Sequence, residues 1–162
     1  MTVMTDPAVG MNNLQRAITK NNVVLTRGEV YPDLQMLVDH PAPGEVRVTY
    51  AKVVHGRIRG YVVFVKVQPF EGLPCFSIGY AVPEKFRNHG VGTEVVEKGI
   101  RELKNGMARN GLRQFYIEAI VDKNNIASQR LAAKVIATEA DRNVIEKESG
   151  KPAVAYMRLI EE

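Results

Sequence analysis

The sequence has little of what several protein classes require. Its single cysteine, Cys75, excludes an internal disulfide framework in this chain of 162 residues. No apolar run approaches the length of a membrane-spanning helix, and Met1–Gly10 lacks the basic start and apolar core of a signal peptide. The three histidines are scattered and give no metal-ligand spacing. We therefore expect a cytoplasmic protein without a bound metal.

The excess of positive over negative charge is also small. The net charge is +4, and the Lys and Arg residues are spread along the chain instead of forming a stripe that would indicate nucleic-acid binding. The mild excess suits an anionic ligand. No repeat, linker or low-complexity segment is present, and the length predicts one domain over residues 1–162. Residues 1–20 form a weakly patterned N-terminal segment.

The stretch Phe76–Val96 carries the strongest local signal. It predicts a buried strand, a break at Pro83, and a turn, Arg87-x-x-Gly90-x-Gly92, that opens a helix. Backbone N–H groups at the positive end of a helix favour a phosphate or pyrophosphate, and glycines lack the Cβ atoms that would hold such a ligand away. The dinucleotide and P-loop motifs are both absent. An ordinary glycine-rich turn before a helix remains the alternative.

The remaining pattern predicts an order of elements. We expect a short helix at Asn12–Lys20, a brief β-type run at Val23–Leu25, and a second helix within Glu29–His40. A hairpin around His55–Arg57 follows. Further strands are expected at Glu45–Val54, Ile58–Val67, Cys75–Val82, Gln114–Val121, Ala137–Glu148 and Ala153–Ile160. Further helices are expected around Val96–Met107 and at Ile126–Ile136. In the helix around Val96–Met107, the faces other than the apolar one carry Glu94, Glu97, Lys98, Arg101 and Glu102. This order predicts an α/β (α+β) fold with a mixed, mainly antiparallel central sheet and flanking helices.

Two stretches resemble a known family. Ile78–Glu94 is similar to the acetyl-coenzyme A signature, Gln/Arg-x-x-Gly-x-Gly/Ala, of the GNAT superfamily of N-acetyltransferases, and most to its ribosomal-protein N-terminal acetyltransferase branch. Asn125-x-x-Ser128, followed by Lys134, resembles a second stretch of that branch. The resemblance covers about Val46–Ile160. It implies a single-domain GNAT-like fold in which two central strands splay apart around the cofactor.

The resemblance also implies a binding site for acetyl-CoA as co-substrate. Asn125 would bind the pantetheine arm and Ser128 would lie near the thioester sulfur, although both are also ordinary capping residues at a helix start. His89 would either contact phosphate or be exposed. The cofactor-binding residues expected from the match are Ala81, Val82, Arg87, Asn88, His89, Gly90, Val91, Gly92, Thr93, Asn125 and Ser128.

The chain departs from the family pattern at two places. Ile136-Ala137 stands where Gly-Phe usually follows the second helix. Ala132 stands where many GNAT enzymes place a tyrosine that acts as general acid, a residue that the ribosomal-protein branch also commonly lacks. These departures motivate an alternative function, a non-catalytic coenzyme A-binding regulatory module on the same fold.

Three residues are candidates for the chemistry. Glu118 is the one charged residue among apolar neighbours in its strand, and a buried carboxylate must be paired or protonated. Transfer to an amine requires a base, and some family members use a glutamate at this position. Glu118 is therefore either the base or the partner of a Lys or Arg. Ser128 would help the thiolate leave, and Tyr80 is the next candidate, although it also fits a cleft-lining role.

The leading prediction is an acetyl-CoA-dependent N-acetyltransferase that transfers acetyl directly to a primary amine of a protein, peptide or small molecule. The alternatives are the regulatory module and a basic interaction domain whose glycine turn is incidental. The expected partners are acetyl-CoA and an amine acceptor, with no nucleic acid and no membrane. The protein would be a monomer or homodimer.

Overall fold

The computed structural model describes residues 6–147 and 149–161. The first five residues of the N-terminal segment and Glu148, the end of the predicted strand region 137–148, lie outside the described residues. Three α-helices are described, α1 (Pro7–Thr19), α2 (Val91–Arg109) and α3 (Ile126–Val135). The described strands are β1 (Thr26–Arg27), β2 (Leu34–Asp39), β3 (Arg47–Val54), β4 (Arg57–Phe70), β5 (Leu73–Ala81), β6 (Gln114–Asp122), β7 (Arg142–Ile145) and β8 (Pro152–Glu161).

The eight strands form one sheet in the order β1-β2-β3-β4-β5-β6-β8-β7. Neighbouring strands are antiparallel except for β5 and β6, which run parallel. A parallel pair needs a crossover connection, and α2 lies in the connection between these two strands. This architecture confirms the predicted fold class.

The two parallel strands separate soon after they meet. They pair over three positions, and the last pair is Ser77 with Glu118. From there β5 continues to Ala81 beside β4, whereas β6 continues to Asp122 beside β8. The sheet is therefore open in its middle, as predicted for a GNAT-like fold.

Helices cover both faces of the sheet. The side chains of β4 point alternately to the two faces, so neighbouring residues of this strand contact different helices. Val62 and Phe64 pack in the large core that includes α2. Tyr61 and Val63 point the other way and pack with residues of α1. None of the described helices is long and apolar enough to cross a membrane.

The helix predicted within Glu29–His40 is wrong. The chain forms β2 there, paired in register with β3. Leu34 packs in the core that includes α2, whereas Leu37 packs toward α1 on the opposite face. A spacing of three residues suits a helix, but it also suits a strand with both faces covered, and the hydrogen bonds to β3 decide between them.

Other boundaries differ from the prediction by smaller amounts. Helix α1 begins earlier, because Asp6 caps it through a hydrogen bond from the Ala8 N–H at 2.9 Å and a proline follows the cap. The β-type run at Val23–Leu25 precedes the two-residue strand β1, and the strand expected within 137–148 is confined to β7. The predicted hairpin is confirmed, with His55 and Gly56 both at positive φ in its turn.

A buried carboxylate holds the segment before β2 against α2. Glu102 is 4% exposed, and its two Oε atoms accept hydrogen bonds from the backbone N–H groups of Glu29, Val30 and Tyr31 at 2.9–3.2 Å. These amides replace the hydrogen bonds to water that the carboxylate loses on burial. The sequence pattern placed Glu102 on a face of α2 other than the apolar one, but it did not show that an opposing loop covers that position.

We expect the Glu102→Ala variant to lower the free energy of unfolding by about 3 kcal/mol or more, since each buried donor left unsatisfied costs about 1–3 kcal/mol. Urea denaturation measures the loss. Glu97→Ala is the matched control, because Glu97 is exposed on the same helix, and its effect should stay within about 0.5 kcal/mol. Equal losses in the two variants would contradict a structural role for Glu102.

Candidate active site

A cleft with a volume of about 1750 Å³ opens where β5 and β6 separate. Residues of β5, the turn before α2, β6 and α3 line it, and β7 contributes to one wall. Ala81 and Val82, both predicted to bind the cofactor, lie along its β5 side. Past the last pair with β6, this part of β5 pairs on one side only, with β4.

The glycine-rich turn leaves backbone amides at the start of α2. A 3-10 turn at Glu84–Phe86 precedes it, and Asn88 and Gly90 both adopt positive φ, at 65° and 75°. The first hydrogen bond of α2 runs from the Glu94 N–H to the Gly90 carbonyl at 3.1 Å. The amides of residues 91–93 precede that bond, so the helix itself gives them no acceptor. Since they line the cleft, they suit an anion.

The two glycines of this turn serve different purposes. At Gly90, which is needed for its positive φ, a Cβ would meet nothing within 4 Å, so the space beside Gly90 is open. At Gly92, a Cβ would lie 3.0 Å from Leu131 Cδ1 of α3. Gly92 therefore permits close packing of α2 and α3. The sequence reasoning, which assigned it only to ligand approach, missed this contact.

Arg87 and His89 occupy different positions around the turn. Arg87 lines the cleft, and its Nε donates a hydrogen bond to the Val82 carbonyl at 3.1 Å, so the side chain also spans the 3-10 turn that precedes the glycine-rich turn. His89 is exposed and is not part of the cleft lining. Asn88 and Thr93 line the cleft.

Two hydroxyl groups meet across the opening in the sheet. The Tyr80 hydroxyl of β5 lies 2.8 Å from Ser128 Oγ and 3.0 Å from the Ser128 carbonyl oxygen of α3. Burial raises the pKa of Tyr80, and the hydrogen bond to Ser128 partly offsets this. Asn125 caps α3, with its Oδ1 accepting from the Ser128 N–H at 3.0 Å, which confirms the capping role. Ala132 is fully buried.

Glu118 lies at the point where the strands separate and lines the cleft. Its Oε2 accepts a hydrogen bond from Arg142 Nη2 at 3.2 Å, and its side chain is 18% exposed. Sequence reasoning left open a partner for Glu118 but did not find Arg142. Arg142 lies two strands away across β8, and only the sheet order brings the pair together.

Cys75 lies on β5 opposite Tyr116, two register positions before the Ser77–Glu118 pair, and is almost fully buried. Burial, foremost, and the nearby Glu118 charge raise the pKa of its thiol to about 12. The thiol is therefore protonated near neutral pH and is a poor nucleophile. This agrees with direct transfer that involves no acyl-enzyme on Cys75.

The residues present fit coenzyme A. Helix-start amides and open space at Gly90 suit its phosphates, and the cleft continues from there to the hydroxyl pair and Glu118. No group of three or more His, Cys, Asp or Glu side chains in residues 6–147 and 149–161 could hold a metal ion. The expectation of a metal-free protein stays a prediction.

Three solved structures show the same fold. RimL, a ribosomal L7/L12 α-N-protein acetyltransferase in apo crystal form 2, is 20% identical with a TM-score of 0.51, over 72% of this chain and 71% of that one. Mycobacterium smegmatis RimJ in complex with CoA-disulfide is 16% identical with a TM-score of 0.55, over 70% of this chain and 53% of that one. A GNAT-family acetyltransferase from Streptococcus pneumoniae is 17% identical with a TM-score of 0.51, over 96% of each chain.

At these identities the likeness is one of fold, and the chain spans only about half of RimJ. No curated protein matches the chain in sequence. The family model described as "Acetyltransferase (GNAT) family" matches residues 16–136, which is most of the chain and includes the glycine-rich turn and α3. The chain therefore belongs to the acetyltransferase (GNAT) family, as an acetyl-CoA-dependent N-acetyltransferase.

Proposed function

We propose that the protein transfers the acetyl group of acetyl-CoA directly to a primary amine that enters the cleft beside Glu118. The observation that carries the proposal is one continuous cleft that joins the α2 amides, the Tyr80–Ser128 pair and Glu118. Acetyl-CoA supplies an acetyl group activated as a thioester. The chain's own residues bind it, position the amine and manage the protons.

Binding would rest mainly on backbone groups. The amides of residues 91–93 would hold the pyrophosphate, with Arg87 adding charge from the edge of the turn. The β5 backbone at Ala81 and Val82 and the side chain of Asn125 line the next part of the cleft.

Glu118 would take a proton from the acceptor, because an ammonium has no lone pair with which to attack. Near the thioester sulfur, Ser128 would stabilise the departing thiolate of coenzyme A. An unperturbed thiol has a pKa of about 8.5, so a hydrogen bond is enough and full proton transfer is unnecessary.

Tyr80 would act through Ser128. Its hydroxyl has one proton, which can go to the Ser128 carbonyl oxygen at 3.0 Å or to Ser128 Oγ at 2.8 Å. This role of Tyr80 requires the second arrangement, which leaves the Ser128 proton for the thiolate. A tyrosine on β5 thus supplies a hydroxyl next to α3, where Ala132 replaces the tyrosine of other family members.

The solved relatives RimL and RimJ are similar in fold, and RimL is named for acetylating a ribosomal protein. A protein N-terminus is therefore one acceptor to test, alongside small amines. The cytoplasmic location, the absence of nucleic-acid and membrane partners, and the monomeric or homodimeric state remain predictions.

The first test concerns the phosphate-binding turn. We expect Gly90→Val to weaken coenzyme A binding at least about tenfold, or 1.4 kcal/mol, because Gly90 lines the cleft and the side chain would project into the open space beside it. Calorimetry measures the dissociation constant. Gly111→Val is the matched control, since Gly111 also has positive φ and open space but follows the far end of α2. If both variants bind alike, the turn does not hold the phosphates.

The second test concerns the base. We expect Glu118→Gln to lower kcat by about 10² to 10⁴ at neutral pH while coenzyme A affinity stays nearly unchanged. Higher pH should restore part of the rate, because free amine becomes abundant. Asp122→Asn, a change of the same kind farther along β6, should have a much smaller effect. Near-normal turnover of Glu118→Gln at neutral pH would move the base elsewhere, and binding without turnover in the wild-type protein would favour a regulatory module.

The third test is a double-mutant cycle on the hydroxyl pair. Tyr80→Phe and Ser128→Ala should each lower kcat by about tenfold, and the double variant should be no slower than Ser128→Ala, because Tyr80 acts through Ser128. Tyr116→Phe, on the neighbouring strand, controls for loss of a phenol. Additive losses would show that the two hydroxyls act separately.

A further inference from the structure

A cation shares the Glu118 end of the cleft. Besides its contact with Glu118, Arg142 donates from Nη1 to Asp141 Oδ2 at 3.0 Å, and its guanidinium lies 5.6 Å from the centre of the Phe70 ring. The aromatic ring and the two carboxylates together hold this side chain at the wall of the cleft.

The guanidinium retains capacity for another anion. Its group has five N–H donors, and the contacts with Glu118 and Asp141 use two of them among the described residues. The Arg142 side chain lines the cleft and is 41% exposed. Asp141 is 45% exposed, and an exposed ion pair of this kind contributes about 0–1 kcal/mol. A bound carboxylate can compete with it.

Proton transfer at Glu118 changes the charge on this pair. When an acceptor ammonium gives its proton to Glu118, an N–H bond breaks, an O–H bond forms on the carboxyl group, and the electron pair stays on nitrogen. Glu118 becomes neutral, so Arg142 loses one of its charged partners. The Arg142 side chain is 41% exposed, so water compensates for part of this loss and the remaining cost is modest. A negative group on the acceptor would replace the lost partner.

Resting on the proposed role of Glu118, we propose that the acceptor is a free α-amino acid, whose carboxylate binds Arg142 while its amine faces Glu118. One carbon atom separates the two charged groups of an α-amino acid. The amine would face the Glu118 carboxylate while the carboxylate faces the Arg142 guanidinium, and these two protein groups are 3.2 Å apart. A peptide N-terminus has a neutral amide in that place, and a polyamine would bring a second cation toward Arg142.

The test compares each proteinogenic L-amino acid with its own α-amide and with its decarboxylated amine. Binding to the coenzyme A-bound protein is measured by calorimetry, and thiol release from acetyl-CoA is measured separately. At least one amino acid should bind at least about tenfold more tightly than its amide, a difference of about 1.4 kcal/mol. Arg142→Gln should remove this preference, and Arg142→Lys should restore part of it, because a single ammonium lacks the planar fork.

Asp141→Asn should act in the opposite direction. Removing the competing carboxylate should tighten amino-acid binding by about two- to threefold and leave amide binding unchanged, the size expected for an exposed ion pair. Arg27→Gln, a charge change on the distant strand β1, should alter neither. Opposite effects at neighbouring positions separate a binding role from a loss of stability, and melting curves with and without coenzyme A show that each variant is folded.

The outcomes distinguish this inference from the function on which it rests. If amines or peptides are acetylated and amino acids are not preferred, or if the preference survives Arg142→Gln, the inference is wrong and the N-acetyltransferase proposal stands. If no amine, peptide or amino acid is acetylated by a protein that binds coenzyme A, both are wrong.

Discussion

The site depends on the place where β5 and β6 stop pairing, after Ser77 and Glu118. Backbone N–H and C=O groups inside a sheet need hydrogen-bond partners. Strands in the middle of a sheet therefore rarely separate unless another group forms hydrogen bonds with the backbone that is freed. Here the separation opens the cleft and leaves Ala81 on a strand that pairs on one side only. The start of α2 lies at the same opening, because α2 lies in the crossover between the two parallel strands.

Contacts between different elements hold the candidate catalytic groups around this opening. The Tyr80–Ser128 hydrogen bond joins β5 to α3, and the Arg142–Glu118 ion pair joins β7 to β6. All four residues of these two contacts line the cleft. Both pairs therefore have a structural role besides the chemical role proposed for them.

The parts of the site that lie within one local stretch could be predicted. Arg87 and Gly90 belong to a turn and helix start whose spacing is visible in the sequence, and the structure gives that turn the expected amides. Sequence reasoning missed the contacts that a second element decides, and the helix predicted within Glu29–His40 was wrong for that reason. Gly92 packs against Leu131, Glu102 is covered by a loop from another part of the chain, and Leu34–Asp39 becomes a strand because β3 pairs with it.

The sequence by itself determined the class of fold, the strand–turn–helix that leads into α2, and the isolated carboxylate at Glu118, because local periodicity and turn chemistry encode these features. Only the tertiary structure decided which cation accompanies Glu118 and which hydroxyl accompanies Ser128. Those partners come from residues far apart in the chain, and their meeting depends on sheet order and on the register at which the strands separate. No local pattern carries that information, since a contact between distant residues exists only after every intervening strand has found its neighbour.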